Sequence, residues 1–329
     1  MSKKDFPQPP RGKLGWPWTN IPDPLPDHMQ DGSSWPKISI ITPSFNQGNY
    51  LEETVRSVLL QGYPNLEYIL IDGGSWDKSL EIIKKYSPWI TYWQSQPDKG
   101  QSHALDVGFS LSTGEIMAWI NSDDYYQPGA LRTIAETFNN HPEPLWVAGI
   151  VQMVDANNHV IRHLGEFKRD LELFFVWDFL NQPGIFWHRK LWENARGIDI
   201  NLQHSMDYDL WFQFLHFQDF PLWVEKHLAN FRKYPGSKSS VGGPHVALER
   251  QLIHDRNQDL IMTIWQRMRV KYHKNNFTAH RMLTKYIELG RGELVTTFLK
   301  ALILAPWMVF QKKFYRKIKQ IFFKFLNRL

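Results

Sequence analysis

Several absences narrow this sequence before any motif is read. It contains no cysteine, which excludes disulfides, thiolate nucleophiles and cysteine-ligated metals and fits a reducing compartment such as the cytoplasm. It has no unbroken apolar run of the roughly 20 residues that a spanning helix needs. The longest late apolar stretch, 294–309, is interrupted by Lys300 and Pro306. The opening residues, Met1 to Pro7, lack the apolar segment of a secretory leader. Neither Gly-x-x-x-x-Gly-Lys-Ser/Thr nor Gly-x-Gly-x-x-Gly occurs, so both common glycine-rich phosphate cradles are missing. Residues 311–329 hold no acid, but they carry Lys312, Lys313, Arg316, Lys317, Lys319, Lys324 and Arg328. That tail of +7, set against a net charge of +5, leaves the rest of the chain near −2. A weakly acidic body gives no electrostatic footprint for nucleic acid, so no nucleic-acid partner is expected.

What is present suits a globular enzyme. The 329 residues, 43% apolar and 22% charged, are enough for one large α/β domain with appendages. Residues 1–36 contain eight prolines and no periodicity, and read as an extended arm. Trp16, Trp18 and Trp35 could pin that arm to the body, although a free linker fits equally well. From residue 37 to about 145, short apolar runs alternate with stretches of helical spacing. Strands are expected at Ile38–Ile41, Glu67–Ile71, Ile90–Trp93 and Ile116–Ile120, with amphipathic helices between them. This alternation predicts a mostly parallel, Rossmann-like sheet flanked by helices over 37–240. Further strands are expected at 145–154, 184–187 and 229–232. A helical extension over 241–329 ends in the basic tail. The tail from 294 is expected to lie on an anionic membrane surface, or else to pack on the body with its basic end solvated.

The loops after the first four strands carry the chemistry: Thr42 to Asn46, Asp72 to Asp77, Asp98 to Gly100, and Asn121 to Asp124. Parallel strands share a direction, so all four fall at one edge of the sheet, where open α/β folds bind ligands. Acids crowded there repel one another unless a cation or a ligand's donors lie between them. Taken alone, Asp123-Asp124 fits two readings, a pair of oxygen ligands for a hard cation or a turn with a helix N-cap.

Five motifs, in this order and spacing, resemble the family 2 glycosyltransferases, which have the GT-A fold. They are Ile40-Ile41-Thr42-Pro43-Ser44-Phe45-Asn46, Ile71-Asp72-Gly73-Gly74-Ser75-Trp76-Asp77, Gln96-Pro97-Asp98-Lys99-Gly100-Gln101-Ser102-His103-Ala104, Trp119-Ile120-Asn121-Ser122-Asp123-Asp124, and Met206-Asp207-Tyr208-Asp209-Leu210-Trp211. The resemblance implies a nucleotide-diphosphate-sugar donor, with UDP-sugar the first expectation, and a glycan or lipid-linked acceptor. Thr42, Pro43, Phe45, Asp72, Asp98, Gln101, Asn121 and Asp123 would bind the donor. Asp72 would accept a hydrogen bond from the base, or serve its own turn, or both. Mg²⁺ or Mn²⁺ would sit at Asp123 and Asp124 and bridge to the diphosphate. Asp207 would be the general base of a single inverting displacement, although a helix N-cap role also fits it. Gln182, Trp187 and His188 would shape the acceptor side. The chain departs from the family's usual residues at Trp76, at Asp106-Val107 and at Tyr234. The expected setting is the cytoplasm, at the inner face of the plasma membrane. The competing expectation is a catalytically silent sugar-nucleotide-binding or scaffold protein.

Overall fold

The computed structural model describes residues 6–164, 167–241, 243–261 and 263–289, with Lys300 and Ala305. The expected membrane-binding tail, 294–329, otherwise lies outside the described residues. Among the described residues no helix is long and apolar enough to cross a membrane. The chain divides into two compact units, 1–167 with 180–255 and 168–179 with 256–329. The expected boundaries at 36/37 and 240/241 do not coincide with this division.

In chain order the elements are β1 (Ile38–Ser44), α1 (Leu51–Leu59), β2 (Leu66–Asp72), α2 (Ser79–Tyr86), β3 (Tyr92–Ser95), α3 (Gln101–Leu111), β4 (Ile116–Trp119), β5 (Tyr125–Tyr126), α4 (Ala130–Asn140), β6 (Trp146–Val154) and β7 (Val160–Leu164). They continue with α5 (Leu171–Phe174), β8 (Ile185–His188), α6 (Arg189–Asn194), α7 (Met206–Leu215), β9 (Leu222–Arg232), α8 (Lys238–Val241), α9 (Pro244–Arg256) and α10 (Ile264–Leu289).

The first unit holds one sheet in the order β3-β2-β1-β4-β8-β6-β9-β5, with β7 paired to β6. The strands β3, β2, β1 and β4 run parallel, as the βαβ pattern requires. Beyond β4 the sheet is mixed: β8 is antiparallel to both β4 and β6, and β6 pairs parallel with β9. Every residue of β1 and β4 is buried, because helices cover both faces of a parallel sheet. Gly108 lets α3 lie directly on β1, since a Cβ there would come 2.5 Å from the Ile41 side chain. The deep core is aromatic: Trp119 stacks on Trp211 with centroids 5.7 Å apart, and Trp187 meets both rings edge-on.

The N-terminal arm is pinned to this unit. Buried Arg56 on α1 donates to the carbonyls of Pro7, Pro17 and Trp18 and to the Tyr86 hydroxyl. Its guanidinium also faces the rings of Phe6 and Trp18. The Trp16 indole donates to the Tyr126 carbonyl at 2.7 Å, and Trp35 donates to Pro26 at 2.8 Å. An arm of this composition has no core of its own, and it gains one by lending rings to α1.

The second unit is helical where described. Asp170 caps α5 by accepting from the Leu173 N–H at 2.9 Å, and Phe174 packs edge-on against Phe179. Arg269 of α10 pairs with Glu172 at 3.5 Å.

Candidate active site

Strand register brings the loops together. Ser44 aligns with Asp72, Asp72 with Ser95, and Ile41 with Trp119, so four strand ends open on one edge. The expected residues there differ in what they expose. Thr42 and Pro43 are buried inside β1, and the Thr42 hydroxyl accepts from the Tyr68 hydroxyl at 3.1 Å. Adjacent strand residues face opposite sides of the sheet, and helices cover both sides here. Phe45, 51% exposed, is the open residue of that motif. It meets the Trp76 ring edge-on at 5.2 Å, and Trp76 is itself 79% exposed. The Asn46 side chain accepts from the Trp76 N–H and fastens the two loops together.

Asp72 is fully buried, and its carboxylate accepts from Ser75 N–H at 2.9 Å, Ser75 Oγ at 2.6 Å and Ser95 Oγ at 2.6 Å. Three of its roughly four lone-pair positions are thus taken, two by the turn and one by the end of β3. Asp98 likewise holds its own loop, accepting from the Gly100 N–H at 2.7 Å.

The acidic loop separates its two carboxylates. Asp124 is buried. One oxygen accepts from the Arg232 N–H at 2.8 Å, and the other from Asn121 Nδ2 at 3.2 Å. Of the two acids expected at an ion, Asp124 thus also fastens the loop to β9, with one hydrogen bond to each of its oxygens. Asp123 is half-buried, and one oxygen accepts from the Tyr234 hydroxyl at 3.1 Å. Its carbonyl accepts from Arg232 Nε at 2.8 Å. Burial raises the pKa of Asp123, opposed by Tyr234 and Arg232. Burial and the neighbouring Asp123 charge push that of Asp124 well above the ordinary range. Among the described residues no cluster of three His, Cys, Asp or Glu side chains could hold an ion. An ion here would take one or two carboxylates from the protein, Asp123 the more open of the pair, and its remaining oxygens from a ligand and water. Mg²⁺ commonly binds in that way, through one or two carboxylates and substrate phosphates.

Asn121 is the hub of the polar floor. Its amide oxygen accepts from Gln101 Nε2 at 2.7 Å, and its Nδ2 also reaches Gln182 Oε1 at 3.3 Å. Gln182 in turn donates to the Trp119 carbonyl at 2.7 Å. Gln182 is thus at the site, whereas its expected companions are not. Because β8 runs antiparallel to β4, its C-terminal residue His188 aligns with Ile116, at the opposite edge. There His188 bonds Glu115 and caps α6. Trp187 lies in the buried core against Trp119 and Trp211.

Asp207 lies in the first turn of α7, half-buried, and accepts from the Tyr208 N–H at 2.8 Å. Burial raises its pKa, and the charges of Arg250 and Lys238 partly oppose the rise. The loop before α7 is fastened from two sides. The Ser102 hydroxyl on α3 donates to the Leu202 carbonyl. Glu249 on α9 accepts from the backbone N–H groups of Gln203, His204 and Ser205 at 2.7, 3.0 and 2.9 Å. Sequence reading missed Glu249, Arg232 and Lys238. Their only signal was a charged residue breaking an otherwise apolar or polar stretch.

Residues 39–193 match the model of glycosyl transferase family 2. The chain carries a family 2 glycosyltransferase domain. The match ends before Asp207, so the loop of α7 lies beyond it. An uncharacterized glycosyltransferase of Rickettsia typhi is 28% identical over 196 residues, 57% of this chain and 61% of the relative. Another, from Nostoc, is 28% identical over 50% of this chain and 54% of its own length. The chain thus spans little more than half the length of these relatives. Among solved structures, Staphylococcus aureus TarS 1–349 in complex with UDP-GlcNAc aligns with a TM-score of 0.57 and 17% identity, covering 81% of this chain and 79% of that one. The mannosyltransferase PcManGT of Pyrobaculum calidifontis, in complex with GDP-Man and Mn²⁺, aligns at 0.50 and 17%, covering 87% and 84%. At such identities these neighbours establish the fold, which is GT-A.

Proposed function

We propose that this chain transfers a sugar from a nucleotide-diphosphate-sugar donor, UDP-linked in the first instance, to a glycan or lipid-linked acceptor with inversion at the anomeric carbon. The observation that carries this reading is a pair of differently placed acids, each within reach of one hydrogen-bonded path. Asp123 stands half-open at the end of β4, and Asp207 stands in the first turn of α7. Lys238 bonds Gln101, which bonds Asn121 of the first loop, and the Lys238 charge acts on Asp207. Asp207 would take the acceptor hydroxyl's proton as that oxygen bonds to the anomeric carbon. The bond from that carbon to the diphosphate breaks in the same step, and the nucleoside diphosphate leaves. A half-buried base with a raised pKa suits this work. A Mg²⁺ or Mn²⁺ ion held by Asp123 would supply countercharge to the departing diphosphate. Phe45 offers an exposed ring to the base. TarS with UDP-GlcNAc and PcManGT with GDP-Man and Mn²⁺ support the donor class and the ion.

The test is a screen of sugar nucleotides with Mn²⁺ and with chelator, measuring binding by calorimetry and release of nucleoside diphosphate. We expect binding and release with Mn²⁺, and loss of release on chelation. Binding with neither release nor transfer to any acceptor would favour a silent scaffold. Binding and release that ignore chelation would remove the ion from Asp123.

A further inference from the structure

We propose that Lys238 is a donor-binding residue that holds the diphosphate of the bound nucleotide sugar and follows its charge as it departs. The proposal builds on the sugar-nucleotide reading above and assigns that reading a further residue. Gly236, at φ +94°, turns the chain out of β9, and α8 begins two residues later with Lys238. The ammonium donates to Gln101 Oε1 at 2.6 Å, and Gln101 donates to Asn121 at 2.7 Å. Lys238 is therefore two hydrogen bonds from the loop that presents Asp123.

Among the described residues Gln101 is its only hydrogen-bond acceptor, which leaves two of the ammonium's three N–H donors for a ligand. The residue keeps exposed surface although its ammonium is partly desolvated, so a ligand can reach it.

Charge balance favours the same assignment. Asp123, Asp124, Asp207 and Glu249 surround this edge, and a diphosphate adds further negative charge. Arg232 is buried and committed to Glu53 at 2.8 Å. Arg250 lies over the Tyr208 ring at 5.3 Å and has no hydrogen bond to the donor loops among the described residues. With no glycine-rich cradle in the sequence, a lysine hydrogen-bonded to the floor of this edge is a fitting device for phosphate oxygens. Burial lowers the Lys238 pKa from its ordinary value, and the charges of Asp207 and Glu249 offset part of that fall.

The experiment compares wild type, Lys238→Ala and Lys238→Arg in the full chain. Calorimetry with Mn²⁺ measures UDP and UMP, and GDP and GMP if the uridine pair does not bind. A charge-assisted contact to the second phosphate predicts that Lys238→Ala weakens the diphosphate by about tenfold or more and the monophosphate by less than about twofold. Lys238→Arg should recover most of the loss. Equal weakening of both nucleotides would make Lys238 a loop-holding residue and overturn the proposal, as would an unchanged diphosphate affinity. A wild-type chain that binds neither nucleotide pair would instead remove the underlying sugar-nucleotide reading.

Discussion

Arg232 donates from its backbone N–H to Asp124, from Nε to the Asp123 carbonyl and from Nη2 to Glu53, each at 2.8 Å. Its guanidinium also lies over the Tyr50 ring at 4.6 Å. One residue thus holds the end of the acidic loop through its backbone and its side chain, and its guanidinium neutralises a helix acid. Breaking a buried pair leaves its partner charged and desolvated. Arg232→Met should therefore cost on the order of 3–5 kcal/mol of folding free energy by urea denaturation. Adding Glu53→Gln should recover part of that cost. A loss under about 1 kcal/mol would show that Glu53 finds another partner or charge state. At this scale the sequence was legible in kind and not in direction. Asp123-Asp124 marked a loop of interest, but adjacent residues can face opposite ways. Which one faces inward depends on the β9 backbone, more than a hundred residues away in sequence. The same holds for Thr42, whose strand position buries it while Phe45, just past the strand end, is exposed.

Among the elements, α9 is the one whose task differs most from its sequence pattern. It reads as the start of a helical extension, yet it packs with the first unit and carries Glu249 to the loop before α7. Three consecutive N–H groups aimed at one carboxylate hold the chain as it enters the helix, as a side-chain cap does within a helix. Glu249 is a positioning residue, acting on Asp207 through residues 203–205. Glu249→Gln keeps one acceptor oxygen and turns an NH₂ toward the loop. We expect kcat to fall about tenfold while donor affinity stays within about twofold. Glu249→Ala should fall further, and parallel losses in kcat and donor affinity would mean a wider collapse of the edge. The first four strands and their helices were readable because βαβ periodicity is local. The mixed half was harder, since β6, β8 and β9 pair across long separations and β8 reverses direction. That reversal is why Gln182 reaches the site and His188 does not.

At the scale of the whole molecule, the fold followed from alternation and motif order, while the pinning of the arm needed Arg56. Nothing in the spacing of eight prolines indicates which buried cation will collect their carbonyls. The basic tail remains a proposal of the same order: seven cations and no acid over 311–329 suit an anionic surface. Truncation after residue 292 should abolish flotation with anionic liposomes and leave the remaining chain folded. Unchanged flotation would place the membrane contact elsewhere in the chain and overturn the reading of the tail. The central claim, however, is that one acid, Asp207, takes the proton while Asp123 serves the leaving group. Asp207 must be ionised to act, and burial raises its pKa above the ordinary 3.8, so activity should fall as pH drops through that raised value. The most direct measurement is the transfer rate with Mn²⁺ for wild type and Asp207→Asn, alongside donor affinity. The account predicts a loss of at least ~10²-fold in rate at unchanged donor affinity, with the acid limb of the pH profile absent from the residual activity. Equal rates in the two proteins would contradict it.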